Sequence, residues 1–369
     1  MNRLFRWGQM SLFLLALAAG ILPFAVPEVC AAALREGLTL CSGPLLLSLF
    51  PFLVVSRLLI QCPESDLLAL PFRLAAWGIG IRTPCAARVL CIGFLGGFAP
   101  AASAATQAVR TGQLTAEEAD ALLPACICSG PSFVVLTVGQ SLLGSAELGV
   151  LLFASQITAN YLTAALLNRF AGVRSVKPGS AAQASPAPPR LDEILADAAI
   201  TYCKLCGFIL FFRMLAAGAG ALLPAGAGTL CAILLEVCSG CDLASRTGRW
   251  GSLLCCAALS VQGLSVLLQV RTICPPEMTL RPLYRARMLH LPLSLALFYL
   301  LLPGGEADVF STLPVRVLLM RRVPPDCALL VFAVCCMAAC TLRSGIRQVE
   351  QKQMARNAGG CCINSKTLL

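Results

Sequence analysis

The chain has 369 residues, of which 58% are hydrophobic and 12% charged, with a mean hydropathy of +0.81. That balance excludes an ordinary soluble globule, in which about 25% of residues are charged. The formal net charge of +10 does not read as a nucleic-acid surface. Lys and Arg stand singly at the ends of apolar runs, in the middle of the chain and in the C-terminal tail, where membrane-flanking cations belong.

Arg3 and Arg6 precede an apolar run from Met10 to Val26, a signal peptide or a first anchor. With no small-x-small site before Pro27, an uncleaved span is expected. A weakly amphipathic piece leads to a second span at Gly43–Ile60. Leu67–Ile81 contains Pro71 and Arg73 and is left open as an interfacial or re-entrant segment. Three stretches of spanning length follow: Cys85–Val109, Glu118–Gln140 and Leu143–Leu167. Ala171–Arg190, rich in Pro, Ser and Ala without periodicity, reads as a linker. Further spans are expected at Asp197–Leu223, Ala225–Leu243, Trp250–Val270, Arg287–Leu302 and Asp326–Leu342, with a basic tail from Arg343.

The expected fold is therefore all-α: a polytopic transmembrane helical bundle of about eight to ten spans. Its parts divide as residues 1–42 (anchor and amphipathic segment), 43–170 and 191–303 (two repeats), 171–190 (linker) and 304–369 (last span and tail).

The two repeats are read from three matches in the same order. Phe52-Leu53-Val54 with Arg57-Leu58-Leu59 recurs as Phe208-Ile209-Leu210 with Arg213-Met214-Leu215. Ser103-Ala104 precedes Arg110-Thr111-Gly112 by the same distance as Ser239-Gly240 precedes Arg246-Thr247-Gly248. Gly130-Pro131-Ser132-Phe133 is answered by Gly263-Leu264-Ser265-Val266. Order shared across both halves points to a duplication, as in carriers whose broken helices meet at a midplane site.

Polar and helix-breaking residues inside the repeats mark the candidate site. Gly97, Pro100 and Ser103 interrupt one apolar run, and Ser129, Gly130, Pro131 and Ser132 a second. Glu236, Ser239 and Gly240 interrupt a third, and Gln262, Gly263, Ser265 and Gln269 the fourth. Interrupted backbone at membrane depth is tolerated only against protein or a water-filled cavity. A half-helix amino end there favours an anion. The competing reading is close helix packing through small residues. Glu236 is either a cation or proton ligand or a structural carboxyl. Arg57 and Arg213 either supply positive charge to an anionic substrate or snorkel to the interface.

Twenty-one cysteines lie mostly inside apolar runs and read as small hydrophobes. The pairs Cys203/Cys206 and Cys238/Cys241 have Cys-x-x-Cys spacing, but with one histidine in the chain a metal or redox site is not expected. No phosphate-binding loop of Walker type appears. Neither a catalytic group nor a cofactor is expected.

The path GGFAPAASAATQAVRTGQLTAEEADALLPACICSGPSFVV, then LLEVCSGCDLASRTGRW and ALSVQGLSVLLQV, resembles the YlbJ-type sporulation integral membrane proteins. The resemblance covers about Pro44–Leu302. These proteins carry the nucleoside-recognition Gate domain, related in fold to domains of nucleoside transporters and iron permeases. The family's Gly-Tyr-Pro-x-Gly-Ala-Lys element appears as Gly97 to Ser103, with Phe98 for the aromatic, the proline displaced to Pro100, Ala101 for the second glycine and Ser103 for the lysine. Gly-x-(Ile/Leu)-Thr-x-x-Glu-Ala is present as Gly112 to Ala119, and Asn/Ser-Gly-Pro-x-Phe as Ser129 to Phe133. Leu-Glu-x-(Thr/Ser)-x-Gly is similar to Leu235 to Gly240, and Gly-(Leu/Phe)-Ser with a following Gln matches Gly263 to Ser265 and Gln269.

The resemblance implies two Gate-type repeats and a multi-pass place in the cell membrane, in sporulating cells the outer forespore membrane. It implies movement of a small anion, dipicolinic acid, toward the spore. The partners implied are the lipid bilayer and that anion, with a second copy of the chain or other sporulation membrane proteins left open and no nucleic acid. The alternative is a non-transporting scaffold for spore-envelope assembly, working through the linker and the basic tail.

Overall fold

The computed structural model describes residues 2–171 and 191–302. The greater part of the expected linker, the span Asp326–Leu342 and the basic tail lie outside the described residues. Among the described residues all regular structure is helical.

The first half runs α1 (Asn2–Ala25), α2 (Pro27–Ser42), α3 (Pro44–Gln61), α4 (Leu70–Gly78), α5 (Pro84–Gly96), α6 (Phe98–Arg110), α7 (Ala116–Cys126), a π-helix (Ser132–Leu142) and α8 (Ala146–Ala171). The second runs α9 (Leu191–Leu222), α10 (Ala225–Leu235), α11 (Val237–Ser245), α12 (Gly251–Val261), α13 (Gly263–Ile273) and α14 (Arg281–Leu301).

Proline opens α2, α3 and α5 at the first helical position, where a missing N–H is harmless. Thr115 opens α7 by a capping box. Its hydroxyl accepts from the Glu118 amide at 3.1 Å, and the Glu118 carboxylate accepts from the Thr115 amide at 3.1 Å.

Among the described residues four helical stretches are long and apolar enough to cross a membrane: Pro27–Gln61, which joins α2 and α3, then Ala146–Ala171, Leu191–Leu222 and Gly248–Ile273, which contains α12 and α13. The domain boundary expected between residues 42 and 43 falls at the bend between α2 and α3.

Two of the expected spans have a different form. The 13 residues each of α5 and α6 extend about 20 Å at 1.5 Å per residue, short of the ~30 Å hydrocarbon layer. They fold back on each other rather than continue. Arg88 near the start of α5 donates to the Gln113 side chain, just beyond the end of α6, at 2.8 Å. The turn is made by Gly97, whose φ of 78° and ψ of −163° are outside any helix. Pro100, expected to help break the helix, lies in the first turn of the return arm, where no intrahelical donor is needed.

Residues 225–243 form a second hairpin. Glu236 is extended, with φ −151° and ψ 125°, and a Cβ built on Gly240 of α11 would come within 2.8 Å of the Ile233 Cα on α10. Leu67–Ile81 contains the nine-residue α4, which follows a short 3-10 turn at Pro63–Asp66, exposes Leu74 and Trp77 and buries Ala76.

Apart from α4 and its flanking turn, α2 to α8 and α9 to α14 run through the same order. A long apolar stretch is followed by a hairpin, an interrupted helix and another long helix. The interior is built of small residues, with Ala101, Ala102, Ala104 and Ala105 of α6 and Cys255, Cys256 and Ala258 of α12 fully buried. Small side chains let helix backbones approach closely, as membrane interiors require. Phe212 and Phe298 are buried among them, while other large apolar side chains, Phe24, Leu47, Phe170, Met288 and Leu300, are exposed.

Candidate functional site

The four interruptions fall at Gly97, Ile127–Pro131, Glu236 and Gln262, and each hairpin tip touches the interruption of the next helix. A Cβ on Gly97 would lie 2.7 Å from the Gly130 nitrogen, and one on Gly263 would lie 3.0 Å from the Glu236 nitrogen. Both glycines have positive φ, 78° and 69°, so the close approach and the turn demand the same residue. The two halves are then tied together. Gln262, itself left-handed at φ 66°, donates from its side-chain amide to the Ser129 hydroxyl at 3.3 Å and to the Leu259 carbonyl at 2.6 Å.

Glu236, 2% exposed, turns its carboxylate onto the amino end of α11, accepting from the Cys238 amide at 2.9 Å and the Ser239 amide at 2.6 Å. A carboxylate at a helix amino end satisfies orphan amides and faces the positive end of the dipole. The anion-favouring end of this half-helix is thus filled by the chain's own side chain. At the first tip, Gly97 offers no such cap.

From the crossing of the interruptions, α13 carries polar side chains toward a cavity. Gln269, 2% exposed, donates to the Ser265 hydroxyl one turn away at 2.9 Å, and its own carbonyl oxygen is buried without a partner among the described residues. The cavity, about 140 Å³, lies between α3, α6, α9 and α13. Arg57, Arg110 and Lys204 line it against one carboxylate, Asp197. Arg57 donates from Nε to the Ser103 hydroxyl at 3.2 Å, from Nη1 to Asp197 and from Nη2 to Thr201 at 3.4 Å. Three cations against one acid leave an excess of two positive charges.

Arg57, Ser103 and Gln269 thus meet at one cavity, with Ser265 bonded to Gln269, while Gln262 and Ser129 form a separate pair. Gly97, Gly130, Glu236 and Gly263 form the tip contacts, with Pro100 behind Gly96 and Gly240 inside the second hairpin. Arg213 does not join them: it pairs with Glu36 of α2 at 2.7 Å. Pro131 and Ser132 start the π-helix with Ser132 exposed. Ser239 contributes its backbone amide at the second tip, whereas Ser103 contributes its hydroxyl farther along its arm, because α11 has 9 residues and α6 has 13.

A second buried polar group was not anticipated. Arg287 and His290 of α14, Gln156 and Asn160 of α8 and Ser260 of α12 form one network. The span expected at Arg287–Leu302 puts its arginine at the membrane edge, but α14 begins at Arg281, leaving Arg287 well inside and 7% exposed. An ionisable residue within an apolar span was the available signal. Asp120 of α7 was also missed; it accepts from the Thr279 amide and hydroxyl at 2.8 and 2.7 Å and from the Leu280 amide at 3.1 Å, holding the entrance of α14.

Among the described residues no group of three or more His, Cys, Asp or Glu side chains is arranged to hold a metal. Compared with protein-family models, curated proteins and solved structures, the chain matches none. Fold and site therefore define a class only: a helical membrane protein with interrupted helices around a polar cavity.

Proposed function

We propose that the protein is a membrane carrier for a small organic anion, built from two inverted Gate-type halves. Dipicolinic acid is the candidate anion, and the membrane around the forespore is its place; both come from the YlbJ-type resemblance. The observation that carries the reading is the cavity beside the first hairpin, with its two-charge excess. A cavity of about 150 Å³ accommodates a benzene-sized molecule. Two surplus cations match a dicarboxylate.

The inversion is part of this proposal, which counts α7 with its π-helix and α14 as crossings beside the four long apolar stretches. In each half the hairpin enters and returns, leaving the long stretch, the interrupted helix and the final helix as three crossings. An odd number reverses the second half in the membrane, and inverted halves around a midplane site are the architecture of alternating access.

The test is uptake of labelled dipicolinate by vesicles holding the purified full chain, against benzoate and an uncharged pyridine diester. Uptake should be selective for the dianion and fall roughly threefold to tenfold in Lys204→Gln. Uptake by folded wild type no greater than in empty vesicles would remove the carrier reading and favour the scaffold.

A further inference from the structure

Arg287 has an unusual set of partners. Its Nη2 donates to the Ile127 carbonyl at 2.6 Å and to the Asn160 side-chain oxygen at 3.2 Å, and its Nη1 donates to the Ser260 carbonyl at 3.3 Å. Asn160 also donates to the Ile127 carbonyl, at 3.3 Å. No carboxylate pairs with Arg287 among the described residues, and its Nε has no partner there. A buried cation without a counter-ion is costly, so something else must balance it.

What balances it is a pair of helix ends. Ile127 follows the last residue of α7, and Ser260 lies in the last turn of α12. These are the inner carboxyl ends of the interrupted helices, one from each half. Each such end carries about −0.5 of a charge, so two sum to about −1 against one guanidinium. In ion-coupled carriers, half-helix carboxyl ends and unwound carbonyls are where a sodium ion or proton is held.

We propose that Arg287 is a tethered cation filling the place of a coupling ion, so that the two halves are held in register without bound sodium. The inference rests on the carrier reading only for its consequence, that transport needs no sodium. The charge balance itself is independent of substrate.

The experiment measures thermal unfolding of the purified full chain in sodium, choline and guanidinium salts at equal ionic strength, for wild type, Arg287→Lys and Arg287→Gln. Glutamine keeps a donor for the carbonyls but loses the charge, whereas lysine keeps the charge. Wild type and R287K should unfold at the same temperature in sodium and choline. R287Q should be less stable in choline and recover about 2–4 °C or more in millimolar guanidinium or sodium, as expected for a cation that binds the folded state.

An R287Q protein that matches wild type in choline, or that neither cation restores, would overturn the proposal; so would sodium-dependent stability or uptake in wild type. Wild type without uptake, combined with cation-restored R287Q, would remove the carrier reading and leave the charge balance standing.

Discussion

Gly97→Ala tests whether the first hairpin tip is the close crossing described above. The substitution brings two separate penalties. At φ 78° and ψ −163° the backbone occupies a region open essentially to glycine alone, and forcing alanine into it costs about 1–3 kcal/mol. The new methyl would also meet the Gly130 nitrogen at 2.7 Å, the Gly130 Cα at 3.0 Å and the Cys128 carbonyl oxygen at 3.2 Å. All three are backbone atoms, which cannot swing aside as a side chain can, so overpacking adds about 1–3 kcal/mol. The expected loss is about 2–6 kcal/mol.

Two controls separate these contributions. Gly112 has φ 69° but nothing within 4 Å of a built Cβ, so Gly112→Ala carries backbone strain alone, about 1–2 kcal/mol. Gly207 in α9 has neither positive φ nor a near neighbour, and Gly207→Ala should be neutral or stabilise by up to about 1 kcal/mol. Denaturant unfolding of the three variants in one detergent gives the ranking. A Gly97→Ala protein as stable as Gly112→Ala would refute the tip contact.

Removing the Glu236 side chain as Glu236→Ala leaves the Cys238 and Ser239 amides at the amino end of α11 without their acceptor. Unfolding in the same detergent should show a loss of about 1–2 kcal/mol. Asp120→Ala strips three donors at Thr279 and Leu280, beside a left-handed Leu280 at φ 56°. Stability should fall by about 3 kcal/mol or more, and limited proteolysis between α13 and α14 should accelerate.

The helical class and the places of interruption were legible because glycine, proline and polar residues in apolar runs have few other uses at membrane depth. What the sequence did not reveal was direction. Cys85–Val109 has the composition and length of a span, and only the Gly97 dihedral angles turn it into a hairpin. Composition cannot tell a glycine that kinks a helix from one that reverses it. Arg287 was passed over for a related reason, since an arginine at the start of an apolar run looks like a boundary marker until the preceding turn of helix is known. The counting that paired Ser103 with Ser239 ran backward from Arg-Thr-Gly, and the four-residue shortfall of α11 puts the two serines at different depths.

On the proposed reading, that shift clarifies how a cation reaches the site. Ser103, on the return arm of the first hairpin, carries no charge of its own. The structure puts Arg57 of α3 against it, with Nε 3.2 Å from the Ser103 hydroxyl. The guanidinium reaches the arm from a neighbouring helix. Arg57 also binds Asp197 of α9 and so links the first hairpin to the opposite half. Arg213, its counterpart in the repeat, pairs with Glu36 and brings no charge to the cavity. The two arginines, matched in the sequence pattern, thus have different partners. The excess of positive charge lies on one side of the pseudo-symmetric core, where a carrier of anions needs an entrance and where the second hairpin, already capped by Glu236, offers none.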